Sequence, residues 1–394
     1  MKFIQDFLHK VRPNFEKGGK YEKFFYIYEA HETLFFTPAE TTKSKGVQVR
    51  DAIDLKRMMM TVILAMVPCL LFGIWNVGHQ HFLATGEGGE FLDKIILGAW
   101  YVLPVVVVSY GTGLSIEFTF ATIRRHEVNE GFLVSGMLIP LIMPPNIPLW
   151  QVALATAFAV ILAKEVFGGT GMNILNVAMT ARAFLYFAYP TDISGEVWTA
   201  LDGVATVEGY SGATALAVAA QTQAGSVTEA FSSYWNPDMY TYSSMFMGTI
   251  PGSIGETSTL ACLIGAAILI FTGIGSARII FTVFLGAYLM GLIFNLAGAN
   301  PFMEMPAHYH WVVGGLAFGA VFMATDPVTG THTDTGKWIY GLLIGMLTVL
   351  IRVFNPAYPE GIMLAVLLMN VFAPLIDYYV VQSNKKRRLS RATV

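Results

Sequence analysis

From Met58 onward the chain is a succession of apolar runs separated by short stretches of Gly, Pro and polar residues. A membrane-spanning helix needs about 20 predominantly apolar residues. Runs suited to that role lie at roughly 58–77, 95–119, 131–145, 149–163, 172–189, 258–274, 277–297, 309–325, 337–354 and 360–381. The pattern predicts about ten transmembrane helices, several short or interrupted by Gly and Pro. Residues 1–57 break the pattern. They are polar and carry short amphipathic pieces at 4–11 and 23–28, expected as surface helices whose aromatic residues, Phe24, Phe25, Tyr26 and Tyr28, pack against the membrane domain. Residues 1–12 lack the apolar region and cleavage site of a secretory signal. The expected organisation is a basic N-terminal segment (1–57), a transmembrane domain (58–381) and a basic tail (382–394), in an all-α polytopic membrane protein.

Composition sharpens this. Hydrophobic residues make up 54% of the chain and charged residues 13%, against roughly 25% charged in soluble domains. A water-soluble enzyme, a disordered chain and a nucleic-acid binder are excluded. Cys69 and Cys262 both sit inside apolar runs. They are too few for an iron–sulfur cluster, which takes four thiolates, unless another chain supplies the rest. His79 and His81, and His308 and His310, form pairs too small for a closed metal site, so no metal is expected.

Charge placement orients the spans. Cytoplasmic flanks are enriched in Lys and Arg. Residues 1–57 hold eleven of the 24 Lys and Arg, and the tail contains Lys385, Lys386, Arg387 and Arg388. Both termini are therefore expected in the cytoplasm, which requires an even number of spans. Arg124, Arg125, Lys164, Arg278 and Lys337 fall on the same side, while Lys94 and Arg352 are exceptions. The outer loop at about 190–257 lies in a stretch, 183–277, without Lys or Arg.

A weak internal repeat is also present. Trp150 and Lys164 stand fourteen residues apart on span four, and Trp338 and Arg352 stand fourteen apart on span nine. A unit of five spans forces the second copy to be inverted, so a five-plus-five inverted repeat is expected. Such folds place their sites near broken helices. The candidate breaks are 168–171, 252–255 and 325–336.

The outer loop contains Glu208-Gly209-Tyr210-Ser211-Gly212-Ala213-Thr214. Read alone, this is a turn leading into a helix, with a hydroxyl beside small residues in an exposed loop. With Arg50 to Arg57, His126 to Gly131, Lys164 to Gly171 and Ala324 to Val328, the chain resembles, over essentially its whole length, the NqrB/RnfD family, to which the NqrB chains of the bacterial sodium-translocating NADH:quinone oxidoreductase belong. The resemblance implies FMN attached through a phosphoester to Thr214 of the motif Ser211, Gly212, Ala213, Thr214. A flavin transferase would install it on the periplasmic side. Glu208 stands three residues before Ser211, where the family usually has Asp. The resemblance further implies non-covalent riboflavin, ubiquinone as substrate, Na+ transport, a bacterial inner-membrane location and partnership with the A, C, D, E and F subunits. No nicotinamide fingerprint is present, so NADH oxidation belongs to another chain.

Other residues are candidates for the remaining chemistry. Gly168, Gly169 and Gly171 permit close backbone approach, and Asn173 and Asn176 are expected at i, i+3 on one helix face, as the candidate riboflavin contacts. Ionisable residues inside apolar runs default to functional hypotheses. Glu130, Asp326 and Asp377 are the ion-path candidates, with Asp377 placed to share a cation with a carbonyl freed by Pro374. Glu165 is expected to pair with neighbouring cations. Asp326, before Pro327, also suits helix termination. Competing readings are an RnfD-type chain of an ion-translocating ferredoxin:NAD oxidoreductase and a solute channel with a five-span repeat and no redox role.

Overall fold

The computed structural model describes residues 2–36, 46–47, 54–125, 128, 131–201, 203–355 and 360–392, and its regular structure is helical. A helical segment occupies each of the ten apolar runs. They are α1 (Leu55–Thr85), α2 (Phe91–Arg124), α3 (Phe132–Leu141), α4 (Leu149–Phe167), α5 (Val177–Ala188), α6 (Thr259–Phe271), α7 (Ala277–Ala297), α8 (Leu316–Phe318, continued by a wide turn Gly319–Met323), α9 (Asp334–Phe354) and α10 (Ile362–Ala392). Six of them, α1, α2, α4, α7, α9 and α10, are long and apolar enough to cross a membrane. The others are shorter, and their ends are satisfied from within the protein. Beyond Pro140 the chain of α3 runs out of helix, and the carbonyls of Leu141 and Met143 accept from the Gly255 and Ile254 amides at 2.7 and 3.0 Å. Irregular backbone inside a membrane protein requires such partners.

The segments alternate in direction between two ends. At the first, Arg124 at the end of α2 lies 3.0 Å from Glu165 at the end of α4, and Arg278 pairs with Asp334, joining the starts of α7 and α9. This basic end holds the cations that the charge pattern assigns to one side. The far end holds residues 190–257. In each half the second helix packs on the fourth, α2 on α4 and α7 on α9. In each half the third is short and the fourth ends in a buried cation, Lys164 or Arg352. Since α1 starts at the basic end and α6 at the far end, the halves have the opposed sense that an inverted repeat requires. The α7–α9 crossing depends on small residues: a Cβ on Gly286 or Gly345 would collide with the carbonyl of Leu342 or Val283.

Two peripheral pieces are more ordered than the sequence suggests. Residues 190–257 form short helices, Ala215–Gln221, Val227–Ser232 and Tyr242–Met247, with their own buried cluster of Leu216, Phe231, Tyr240 and Met245, closed by Phe302 and Met305. The N-terminal segment forms helices Lys2–Val11 and Phe25–Phe35. Tyr28 is buried and donates to the Leu8 carbonyl at 2.9 Å, while Arg57 reaches the Thr33 carbonyl at 3.1 Å and His31 lies against Phe118. The segment thus meets α1 and α2 through Thr33 and His31, while Tyr28 packs within the segment and Phe24 is exposed.

Candidate functional site

Two cavities lie at opposite ends of the short helices. The far-end cavity, about 210 Å³, is lined by Arg182 of α5, Trp198, Thr214, Leu216, Glu256, Gly314, Gly315 and Glu360. Thr214 is half-buried, with extended backbone, and its Oγ1 accepts the Ala217 amide at 3.3 Å, capping helix Ala215–Gln221. The residues before it are strapped down. Tyr234 Oη and Trp235 Nε1 donate to the Ser211 carbonyl at 2.7 and 3.0 Å, and Tyr240 Oη donates to the Ala213 carbonyl. Ser211 Oγ donates to Glu196 Oε1 at 2.7 Å. Burial holds the Tyr240 phenol well above the usual range, so it remains a proton donor at physiological pH. Gly212 and Ala213 are buried, which departs from the exposed loop expected from sequence. A Cβ on Gly212 would fall 3.0 Å from the Glu196 carbonyl and 3.1 Å from Tyr210 Oη, so the small residue serves close packing, and Thr214 lines the cavity. Glu208 is exposed on the preceding turn.

Behind Thr214 sits a buried ion pair that sequence reading did not single out. Arg182 and Glu256 are 3% and 4% exposed, with Nη1 to Oε2 at 2.6 Å, and Arg182 Nη2 lies 3.4 Å from Ser253 Oγ. Glu360 Oε1 accepts the Gly315 amide at 2.6 Å. Gly314 takes positive φ, and both Gly314 and Gly315 lie close against the two acids. A Cβ would fall 2.8 Å from Glu360 Oε2 at the first and 2.7 Å from Glu256 Oε1 at the second. A signal was available: Arg182 is a lone cation inside an apolar run, the last before the cation-free stretch. Its partner, 74 residues away, carried no local mark.

The basic-end cavity, about 90 Å³, gathers Asn173, Asn176 and Asp326 with Lys164, Thr170 and Gly131. The two asparagines do not share a helix face. Gly168, Gly169 and Gly171 take positive φ and hold Asn173 in a turn, with its amide on the Leu175 carbonyl at 3.2 Å. Asn176 is the N-cap of α5, accepting the Met179 amide at 3.1 Å, while its own amide donates to Asn370 Oδ1 at 3.1 Å. Asp326 accepts from the Val328 amide at 3.0 Å and the Thr329 hydroxyl at 2.9 Å, a turn that ends α8 ahead of Pro327. Lys164 pairs with Glu117, and Glu165 with Arg124 as expected.

Asp377 lies apart from this cavity. Its carboxylate accepts from the His332 and Thr333 amides at 2.7 and 3.1 Å and from the Thr333 hydroxyl, holding the start of α9. The carbonyl freed by Pro374 belongs to residue 370, about 10 Å along the helix from 377, so the expected carbonyl–carboxylate pair is not formed. Glu130 lies outside the described residues.

Asn176, the N-cap of α5, lines the basic-end cavity, and Arg182 in the middle of the same helix, six residues or about 9 Å along, lines the far-end cavity.

With that geometry in place, comparison with known proteins gives a consistent answer. The profile of the NQR2, RnfD, RnfE family matches residues 42–386. The B subunit of the Na(+)-translocating NADH-quinone reductase of Ectopseudomonas mendocina is 51% identical over 98% of this chain and 99% of its own. The protein of the same name from Chromohalobacter salexigens is 50% identical over 98% and 96%, and that from Pseudomonas aeruginosa (strain LESB58) 48% over 98% and 99%.

Proposed function

The chain belongs to the NQR2, RnfD, RnfE family, and on that premise we propose that it is the NqrB-type membrane component of a sodium-translocating NADH:quinone reductase. It carries FMN on Thr214, passes electrons toward ubiquinone and couples this to outward Na+ movement. Identity near one half over almost the whole chain favours this reading over an RnfD-type chain or a solute channel.

The observation that carries the flavin assignment is the position of Thr214 on the wall of the far-end cavity, with its motif held by three aromatic donors. The fit is good in three respects. Thr214 Oγ1 would keep its role as cap acceptor after esterification. Trp198 and Leu216 offer apolar surface, and Glu256 Oε1 is buried with no hydrogen-bond partner among the described residues, so it suits an N–H or hydroxyl donor. A flavin bound there supplies electron transfer, and the chain positions it and tunes its surroundings.

The basic-end cavity is assigned to riboflavin. Asn173 supplies an amide at its edge, Asn176 shapes its floor by capping α5, and the glycine turn lets backbone approach closely. Asn176 and Arg182, six residues apart along α5, place the two cavities on one helix, which supports electron passage between them. Asp326 at the same cavity, Glu130 beside Gly131 and Asp377 at the basic rim are assigned to the sodium path. The basic end is assigned to the cytoplasm of a bacterial inner membrane and the far end to the periplasm, where a flavin transferase acts. The A, C, D, E and F subunits supply NADH oxidation and the remaining electron carriers. Peptide mass spectrometry of the purified chain tests the central claim: one FMN on the peptide containing Thr214 is expected, and an unmodified peptide in the mature complex refutes it.

A further inference from the structure

We propose that Arg182 is the fixed charge partner of the flavin carried by Thr214, and that it raises the midpoint potential of that flavin. The inference rests on the Thr214 assignment and adds to it a residue on another helix. Arg182 and Thr214 line the same cavity. Among the residues lining it, Arg182 is the one Lys or Arg, and the sequence supplies no other between it and Arg278. Arg352 approaches from behind, but its guanidinium is committed to the carbonyls of His310, Val313 and Glu360 at 2.9, 2.8 and 3.0 Å.

The pair has an uneven arrangement that suits a ligand. Arg182 Nη1 holds one oxygen of Glu256, and Ser253 Oγ steadies the second terminal nitrogen. The other Glu256 oxygen has no partner among the described residues, and Gly315 has no side chain to cover it. A buried ion pair adds little stability over well-packed apolar residues of the same volume. On the wall of a cavity the guanidinium suits the negative charge of an occupant, and the open Glu256 oxygen suits an N–H or hydroxyl donor on it.

The chemistry of the occupant matches. A phosphoester to Thr214 brings one negative charge beside the cavity. Flavin reduction takes up two electrons and, with one proton, leaves the ring system with a further negative charge. Beside the buried Arg182 and Glu256 that charge is screened less than in bulk water. A guanidinium stays protonated throughout, so it favours the reduced form without moving a proton of its own. Glu256 opposes this by holding the guanidinium and contributing a negative charge, and thereby sets how much of the favourable field the flavin feels. Glu360, anchored on the Gly315 amide and 3.9 Å from Arg352, adds a second acid to that balance.

The test uses the assembled complex with Arg182→Gln, Arg182→Lys, Glu256→Gln and the double variant Arg182→Gln/Glu256→Gln. Two readouts are taken: fluorescence of the denatured chain, which reports covalent FMN, and a redox titration of that flavin's absorbance. Covalent FMN should persist in every variant. The midpoint potential should fall in Arg182→Gln, rise in Glu256→Gln and stay near the parent in Arg182→Lys. If Arg182→Gln fails to assemble, Glu256→Gln and the double variant differ only at Arg182, and the double should titrate at the lower potential. Potentials that overlay the parent's while FMN is retained would overturn the proposal. A parent chain with no covalent FMN would instead overturn the Thr214 assignment beneath it.

Discussion

Arg352 stands at the end of α9 as Lys164 stands at the end of α4, at opposite ends of the molecule, and both side chains are buried, at 0% and 3% exposure. One answers Glu117 and the other three backbone carbonyls. This explains why Arg352 breaks the charge pattern of the loops. The rule concerns cations in solvated flanks, and Arg352 is instead an internal brace tying α9 to the chain before α8 and to the start of α10.

The brace has a measurable worth. Arg352→Met keeps most of the volume but leaves three buried carbonyls without donors. Each orphaned group costs about 1–3 kcal/mol, and breaking a buried charged contact typically costs about 3–5 kcal/mol. The variant should unfold in detergent at a clearly lower temperature than the parent. Arg352→Lys, which restores a cation with fewer donors, should fall between them. Equal unfolding temperatures for Arg352→Met and parent would mean that the carbonyls are satisfied some other way.

Thr214 is observed as a cap and proposed as a point of attachment, and the two roles are separable. Thr214→Val removes both. Loss of an N-cap costs about 1 kcal/mol, too little to unfold a chain of this size, so membrane assembly should persist while covalent FMN vanishes. Thr214→Ser keeps a hydroxyl and the cap, so its thermal stability should match the parent's whatever its FMN content. The pair of variants separates loss of flavin from loss of fold by denaturing-gel fluorescence and thermal unfolding.

How much of this was legible in the sequence follows from the range of the interactions. Hydrophobic run length is local, and every apolar run contains a helix. Which runs cross fully was less visible, because α3, α5, α6 and α8 are short, and after α3 distant backbone, Ile254 and Gly255 against Met143 and Leu141, takes over the hydrogen bonds. The Thr214 motif was readable as a motif, but its straps come from Tyr234, Trp235 and Tyr240, 21 to 27 residues later. Asn173 was misplaced onto a helix because the glycines at 168, 169 and 171 take positive φ, where an extended turn replaces helix. The Arg182–Glu256 pair joins separate halves of the chain, and neither residue's neighbours announce the other.

Orientation is open to a direct chemical check. Ser233 is exposed among the short helices of the far end, and Ser390 is exposed near the end of α10, while Cys69 and Cys262 are buried. Cysteine placed at Ser233 should react with a membrane-impermeant thiol reagent added to cells with permeabilised outer membranes. Cysteine placed at Ser390 should react only after the inner membrane is opened. Reaction of both in intact inner membranes, or the reverse order, would contradict an even number of crossings with cytoplasmic termini.

Asp377 carries the last prediction, because its place in the structure and its assigned role in the sodium path pull in different directions. Its carboxylate receives two amides and a hydroxyl from residues 332 and 333. These donors fix the start of α9 and already occupy much of the carboxylate's acceptor capacity. They do not neutralise its charge, and on the proposed sodium path that charge at the basic rim would attract Na+ arriving from solution. Asp377→Asn distinguishes the two contributions. The amide oxygen retains an acceptor for the His332 or Thr333 amide, so the loss of stability should stay near ~1 kcal/mol, the usual scale for one hydrogen bond. The charge is gone, so the half-saturating Na+ concentration for quinone reduction should rise, while the FMN on Thr214, at the opposite end, should be unchanged. Asp377→Ala removes charge and acceptors together and should show both the higher Na+ requirement and a larger stability loss, of about 1–3 kcal/mol for amides left unpaired. A sodium titration of Asp377→Asn that superimposes on the parent's would confine Asp377 to anchoring α9 and leave Asp326 as the described acid on the sodium path.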